Sequence, residues 1–124
     1  MIVVVGGWNK KSTVETFDPL TQSWHSQGDG CTPAVEAIFH YPNLPEGRNS
    51  CAAVSLGQCV YVLGGYKSNG TTNEVAILNT ATRSWTIGPC MQSKRKFLGA
   101  AVLEGKIYAA GGYDGGRQID FKPP

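Results

Sequence analysis

The side chains of this sequence with chemical reach are two histidines, four cysteines, and arginines, lysines and tyrosines that recur beside glycine pairs. His25 and His40 stand fifteen residues apart, and Cys31, Cys51, Cys59 and Cys90 contain no CxxC spacing. A metal site needs several donors at chelating distance, so neither a metal nor a cofactor is expected. Cys51 reads as a small apolar strand residue; Cys59 and Cys90 fall beside turns, where thiol redox chemistry stays open. The GYDGGR stretch, Gly112 to Arg117, is glycine-rich like a phosphate loop. No helix follows to aim N–H groups at an anion, so it reads as a hairpin loop. Asn69-Gly70-Thr71 fits a glycosylation sequon, but reads as a turn in a chain without an export signal. There is no GxSxG, no P-loop and no pair of carboxylates on facing elements, and the sequence predicts no catalytic residue.

Composition describes a soluble globular chain and excludes several classes. The chain has 124 residues, 41% hydrophobic and 16% charged, with a net charge of +2. A pI of about 8.4 is too mild for the electrostatic footprint of a nucleic-acid binder. No apolar run approaches the ~18 residues of a membrane helix, and MIVVVGGWNKK lacks a positive flank before its apolar stretch. The expectation is a cytoplasmic, unprocessed chain with reduced thiols and no membrane or nucleic-acid partner.

The elements that must position those side chains follow from self-similarity. Glycine pairs stand at Gly6-Gly7, Gly64-Gly65 and Gly111-Gly112, at intervals of 58 and 47. A slide of 47 lays RNSCAAVSLGQCVYVLGGY onto RKFLGAAVLEGKIYAAGGY without a gap, matching Arg48/Arg95, Ala53/Ala100, Leu56/Leu103, Tyr61/Tyr108 and the Gly-Gly-Tyr triplets ending at Tyr66 and Tyr113. A slide of 61 lays VETFDPLTQSW onto VAILNTATRSW, matching Val14/Val75, Thr21/Thr82, Ser23/Ser84 and Trp24/Trp85. Each unit reads as four short strands separated by turns, with the second strand apolar throughout (Ile2 to Val5, Val60 to Leu63) and so expected to be buried on both faces. Extra length between Trp24 and Arg48 reads as an insertion, 27–47, projecting from the loop face with Cys31, His40 and Tyr41. Its AVEAIFHY stretch could form a short helix or an added strand.

Strand, Gly-Gly, V-x-x-[FL]-[DN] strand, Ser-Trp, then an opening arginine: this order resembles the kelch repeat, whose period is ~50 residues. The resemblance implies an all-β, incomplete kelch β-propeller of four-stranded antiparallel blades, one complete blade flanked by two partial ones. The expected division is 1–26 partial blade, 27–47 insertion, 48–89 complete blade and 94–121 partial blade. Both ends then lack neighbours, so the chain is expected to be a piece of a longer kelch protein whose remaining blades are its partners, with assembly of several copies as the alternative. Gly6, Gly7, Gly64, Gly65, Gly111, Gly112, Tyr61, Tyr108, Trp24 and Trp85 are the implied blade core.

In such a propeller, the loops between strands two and three and those opening each blade share one face. That places Trp8, Asn9, Lys10, Arg48, Asn49, Tyr66, Lys67, Asn69, Lys94, Arg95, Lys96, Tyr113, Asp114 and Arg117 together, an aromatic and arginine set typical of interface hot spots. In kelch substrate adaptors of cullin-type ubiquitin ligases, the blade-opening arginine and the tyrosine after Gly-Gly line the peptide pocket; Arg48, Arg95, Tyr66 and Tyr113 match, and Trp8 departs from the tyrosine. The implied partner is a protein, either a degron peptide or, as for other kelch proteins, actin or another cytoskeletal protein. A structural reading stands beside it, in which Arg48 and Arg95 tie adjacent loops and Lys94-Arg95-Lys96 is a solvated edge. Kelch-type copper oxidases and sugar epimerases are the third class, and two histidines with no common spacing argue against the former.

Overall fold

A computed structural model describes residues 2–7, 12–26 and 41–119. Among them every regular element is a β-strand, and every strand pair is antiparallel. The complete unit is a four-stranded sheet, ordered as in sequence: β4 (Ala52–Leu56), β5 (Cys59–Leu63), β8 (Val75–Asn79) and β9 (Ser84–Ile87). A small hairpin, β6 (Tyr66–Lys67) with β7 (Gly70–Thr71), fills the connection from β5 to β8. The first unit contributes β1 (Ile2–Val5), β2 (Val14–Asp18) and β3 (Ser23–Ser26) as a three-stranded sheet. The last contributes the pair β10 (Gly99–Leu103) and β11 (Lys106–Ala110), with β10 packed beside β4.

The repeat written in the sequence is copied into the backbone. Asp18 and Asn79 end their strands identically: the side-chain Oδ1 accepts from the N–H two residues on (2.9 Å each), and the backbone carbonyl accepts from Gln22 and Arg83 (2.7 Å each). Gln22 and Arg83 both sit in the left-handed region, at φ 56° and 57°. These Asx turns set the register that brings Thr21 to Ser23 and Thr82 to Ser84. Ser50 and Phe97 form another left-handed pair (φ 57° and 56°).

The first two glycine pairs are joints between units. The Gly7 N–H donates to Arg48 O (3.2 Å), and the Gly65 N–H to Arg95 O (2.7 Å), so the second glycine of one unit holds the opening residue of the next. Phe97 N–H adds a bond to Ser50 O at 2.8 Å. A Cβ on Gly6 would stand 2.8 Å from Arg48 O, and one on Gly65 would stand 2.6 Å from Asn49 O. With φ between 63° and 102° at Gly6, Gly64 and Gly65, these positions combine left-handed backbone with close backbone approach, and both demand glycine.

The core lies between the first two sheets. Val14 of the first unit meets Val60, Val62, Ala76 and Leu78 of the second, with Val3, Val5, Cys51 and Trp85 at its margin. Burying Val62 and Leu78 completely is worth about 1.5–3 kcal/mol each. Tyr41 and Leu44 complete this cluster, so these two residues of the expected insertion pack into the core, while Pro45 and Glu46 beside them are exposed; residues 27–40, with Cys31 and His40, lie outside the described residues. Two further expectations need correction. Val4 is 43% exposed because no described sheet covers the outer face of β1. Trp24 is 52% exposed, its ring tilted on Phe17 at 5.1 Å, because β3 is the outermost strand of its sheet. Trp85 is half-buried at the margin of the core, and its indole N–H donates to Pro42 O at 2.7 Å, in the segment between the first two units. Tyr61 and Tyr108 are half-buried.

Gly57 and Glu104 occupy the same turn position in their units, at φ 61° and 51°, and a Cβ on Gly57 meets nothing. Gly64→Ala is therefore expected to cost about 3 kcal/mol, from left-handed strain plus the clash with Arg95 O, against about 1 kcal/mol for Gly57→Ala. Urea denaturation of the two variants checks the order; equal losses contradict the joint.

Candidate functional site

In the second unit the loop cations are consumed internally. Arg48 is wholly buried; its Nη2 donates to Glu74 Oε1 at 2.6 Å and its Nη1 to Gly64 O at 3.5 Å. Lys67, also buried, bridges Glu74 Oε2 (3.2 Å) and Glu46 Oε2 (2.9 Å). Burial pushes the Glu74 carboxyl up, but the hydrogen bonds and charges of Arg48 and Lys67 outweigh it and hold the group below the ordinary glutamate value. Arg48 and Lys67, expected on the docking surface, are corrected to interior posts: their charges are spent inside the chain.

The third unit is built on the same backbone and leaves its side chains outward. Lys96 and Tyr113 face each other across a two-way backbone bridge, with both bonds at 2.9 Å, as Asn49 and Tyr66 do in the second unit. Arg95 makes the counterpart of the Arg48 contact, Nη1 to Gly111 O at 2.9 Å. Phe97 is 65% exposed and meets Tyr113 edge-on at 6.3 Å; Tyr113 is itself 44% exposed. Lys96 Nζ lies 5.0 Å from the Tyr66 ring centroid and 5.8 Å from that of Phe97, within cation–π range of both. A cavity of about 320 Å³ is lined by Lys96, Phe97, Tyr113, Gly115 and Gly116. Because neighbours along an extended chain point to opposite sides, Arg95 and Asp114 line a second cavity of about 520 Å³ with Gln92, Ser93, Arg117, Gln118 and Ile119.

The loop from Asp114 to Arg117 is a hairpin, as expected: Asp114 Oδ1 accepts from the N–H groups of Gly116 (3.1 Å) and Arg117 (2.9 Å), which hold its carboxyl below the usual range. The neighbouring expected turn is centred on Ser68-Asn69 rather than Asn69-Gly70, with Asn69 exposed at the tip.

A profile of the kelch motif matches residues 1–29, 47–92 and 94–120. The chain belongs to the kelch-repeat family. Among its relatives, a putative F-box/kelch-repeat protein of Arabidopsis thaliana is 36% identical over 94 residues, covering 76% of this chain and 26% of that protein. Kelch-like protein 28 of Homo sapiens is 36% identical over 111 residues, covering 83% of this chain and 17% of that protein. The chain thus spans about a quarter or less of the length of these kelch relatives. The solved structure of YjhT superposes with a TM-score of 0.69 at 20% identity, over 89% of this chain and 31% of that one, a likeness of fold.

The kelch units place the expected site residues unequally. Asn49, Tyr66, Arg95 and Tyr113 stand on the paired openings of the second and third blades, Lys94 and Arg117 are exposed beside them, and Trp8, Asn9 and Lys10 lie outside the described residues. Sequence reasoning missed Phe97 and the two acids Glu46 and Glu74. The slide of 47 carried the first signal, since it sets Phe97 against Ser50. Of the thiols, Cys90 is exposed and Cys59 opens β5; Cys51 precedes β4 instead of lying on it, and burial pushes its thiol up. Among the described residues, no group of three or more His, Cys, Asp or Glu could hold a metal ion, and no helix is long and apolar enough to cross a membrane.

Removing Glu74 strands a buried guanidinium, so Glu74→Gln is expected to cost about 3 kcal/mol. Because the folded carboxyl titrates below its unfolded value of about 4.5, its stabilisation is complete above that pH and is lost as pH falls through the folded value. Urea midpoints from pH 7 to 3 should fall more steeply for the native chain than for Glu74→Gln; parallel curves contradict the pairing.

Proposed function

We propose that this chain is a non-catalytic protein-docking module that captures a peptide segment of its partner on the loops of its blade openings, in substrate recognition for a cullin-type ubiquitin ligase adaptor. The observation that carries this reading is the Phe97–Tyr113–Lys96 cluster. An aromatic side chain 65% exposed, at a left-handed backbone position, is held by its own N–H to Ser50 O and by the bridge of the preceding Lys96 to Tyr113. Rigid aromatic anchors displayed this way lose little entropy on binding and dominate interface energies.

Support for the ligase context is of a different kind. A relative carries an F-box designation with its kelch repeats, another is a kelch-like protein, and the adaptor resemblance maps onto Arg95, Tyr66 and Tyr113. Adaptors couple recognition to the ligase through a separate domain, so the residues in hand supply the recognition half.

Phe97→Ser installs the residue that the second blade uses at this position, Ser50, on the same left-handed backbone. Affinity purification from cells with the proteasome blocked is expected to lose the captured partner at least tenfold, with an unchanged thermal midpoint. An identical partner set for both chains contradicts docking on this face.

A further inference from the structure

Of the six asparagines in the sequence, Asn69 alone is followed by glycine. The structure sets it apart in three further ways. It is exposed at the tip of the β6–β7 hairpin, and among the described residues no hydrogen bond holds its carboxamide. Two other asparagines spend theirs: Asn73 Nδ2 donates to Met91 O at 3.2 Å, and Asn79 Oδ1 accepts from the N–H groups of Ala81 and Thr82. Gly70 has open space around it, since a Cβ built there would meet nothing within 4 Å. Its φ of 118°, after negative φ at Ser68 and Asn69, is the pattern of a type I turn closed by a left-handed glycine. The ladder at the tip is two pairs long, Tyr66↔Thr71 and Lys67↔Gly70. Below it the hairpin is anchored by Tyr66 to Asn49 and by Thr72 N–H to Gly65 O, so the Gly70 amide opens by fraying of the tip while the base stays in place.

We propose that Asn69-Gly70 is a self-modifying site, at which the Gly70 amide nitrogen closes on the Asn69 side chain and the hairpin tip converts to aspartate and isoaspartate. The Gly70 nitrogen gives its proton to hydroxide and attacks the side-chain carbonyl carbon of Asn69. That N–C bond forms, the carboxamide C–N bond breaks, and the nitrogen leaves as ammonia with a proton from water. A five-membered succinimide remains; water opens it at either carbonyl, and nothing is oxidised or reduced. The related pair Asp114-Gly115 is protected, because the N–H groups of Gly116 and Arg117 hold the Asp114 carboxyl ionised and a carboxylate is a poor target for the same attack. Conversion of Asn69 puts a carboxylate on the loop face and lowers the net charge of the chain by one from +2. Where isoaspartate forms, it also lengthens the backbone of the turn by one methylene. The inference stands on the hairpin alone and is independent of the docking reading.

Incubation of the full, folded chain at 37 °C in oxygen-18 water, followed by tryptic mapping in a mass spectrometer, tests this. Ring opening leaves one heavy oxygen on residue 69, which separates conversion during the incubation from earlier conversion. Asn69 is expected to convert at least tenfold faster than Asn73 and Asn79, which share its tryptic fragment, and faster at pH 8 than at pH 7. The product is expected to accept methyl groups from an isoaspartyl methyltransferase, and Asn69→Ser is expected to abolish that acceptance with an unchanged thermal midpoint. Conversion of Asn69 no faster than that of Asn73 and Asn79, or equal rates at the two pH values, overturns the proposal. Methyl acceptance that survives in Asn69→Ser places the site elsewhere and overturns it too. So does conversion confined to the chain unfolded in urea, which would mean that the hairpin shields the pair.

Discussion

The architecture depends on one contact, the approach of a glycine pair in one blade to the backbone that opens the next. Gly7 donates to Arg48 O and Gly65 to Arg95 O, and a side chain on Gly6 or Gly64 would intrude on those same carbonyls, while one on Gly65 would meet Asn49 O. Left-handed backbone at these glycines turns the chain sharply out of β1 and β5, so that the loop after the second strand lies over the start of the following unit. Everything at the loop face inherits its position from that step: the Tyr66 and Tyr113 bridges, the Arg48 and Arg95 contacts with Gly64 O and Gly111 O, and the placement of Phe97 against Ser50.

Upon that shared frame the two blade openings diverge by charge. A buried arginine is tolerated in the second blade because Glu74 meets its Nη2 and the Gly64 carbonyl its Nη1, with Nε left unpaired, and Lys67 is held between Glu74 and Glu46. Such a network is stiff and self-contained, costly to open and with little charge to offer a visitor. The third blade repeats the arginine without the acids and puts an aromatic pair on the surface. One repeat therefore serves as a post and its neighbour as a display, and the difference lies in four or five side chains.

Most of the fold was legible in the sequence because a repeat testifies twice. Matched spacings at Gly64/Gly111, Asn79/Asp18 and Trp85/Trp24 located the strands and turns of the complete unit, and the second strand, expected over Val60 to Leu63, runs Cys59–Leu63. The same logic failed where burial depends on what lies alongside. Val4 and Trp24 carry the apolar character of a covered face, yet no described sheet covers them. Tyr41 and Leu44 lie in a segment without repeat signal, and their place in the core follows from the space between two sheets, which spacing along the chain does not encode. At the site, residue type alone made Arg48 and Lys67 look like surface anchors; their burial hangs on Glu46 and Glu74, acids distant in sequence from one or other of the cations they neutralise.

Native-state hydrogen exchange at the blade joints tests the central claim most directly. If the glycine step fastens one blade to the next, the amides of Gly65 and Phe97, bonded to Arg95 O and Ser50 O, exchange as slowly as those of Tyr61 and Val62 within β5. Exchange of Gly65 and Phe97 at the rate of an open loop, with β5 still protected, would mean that the units fold side by side without being joined there.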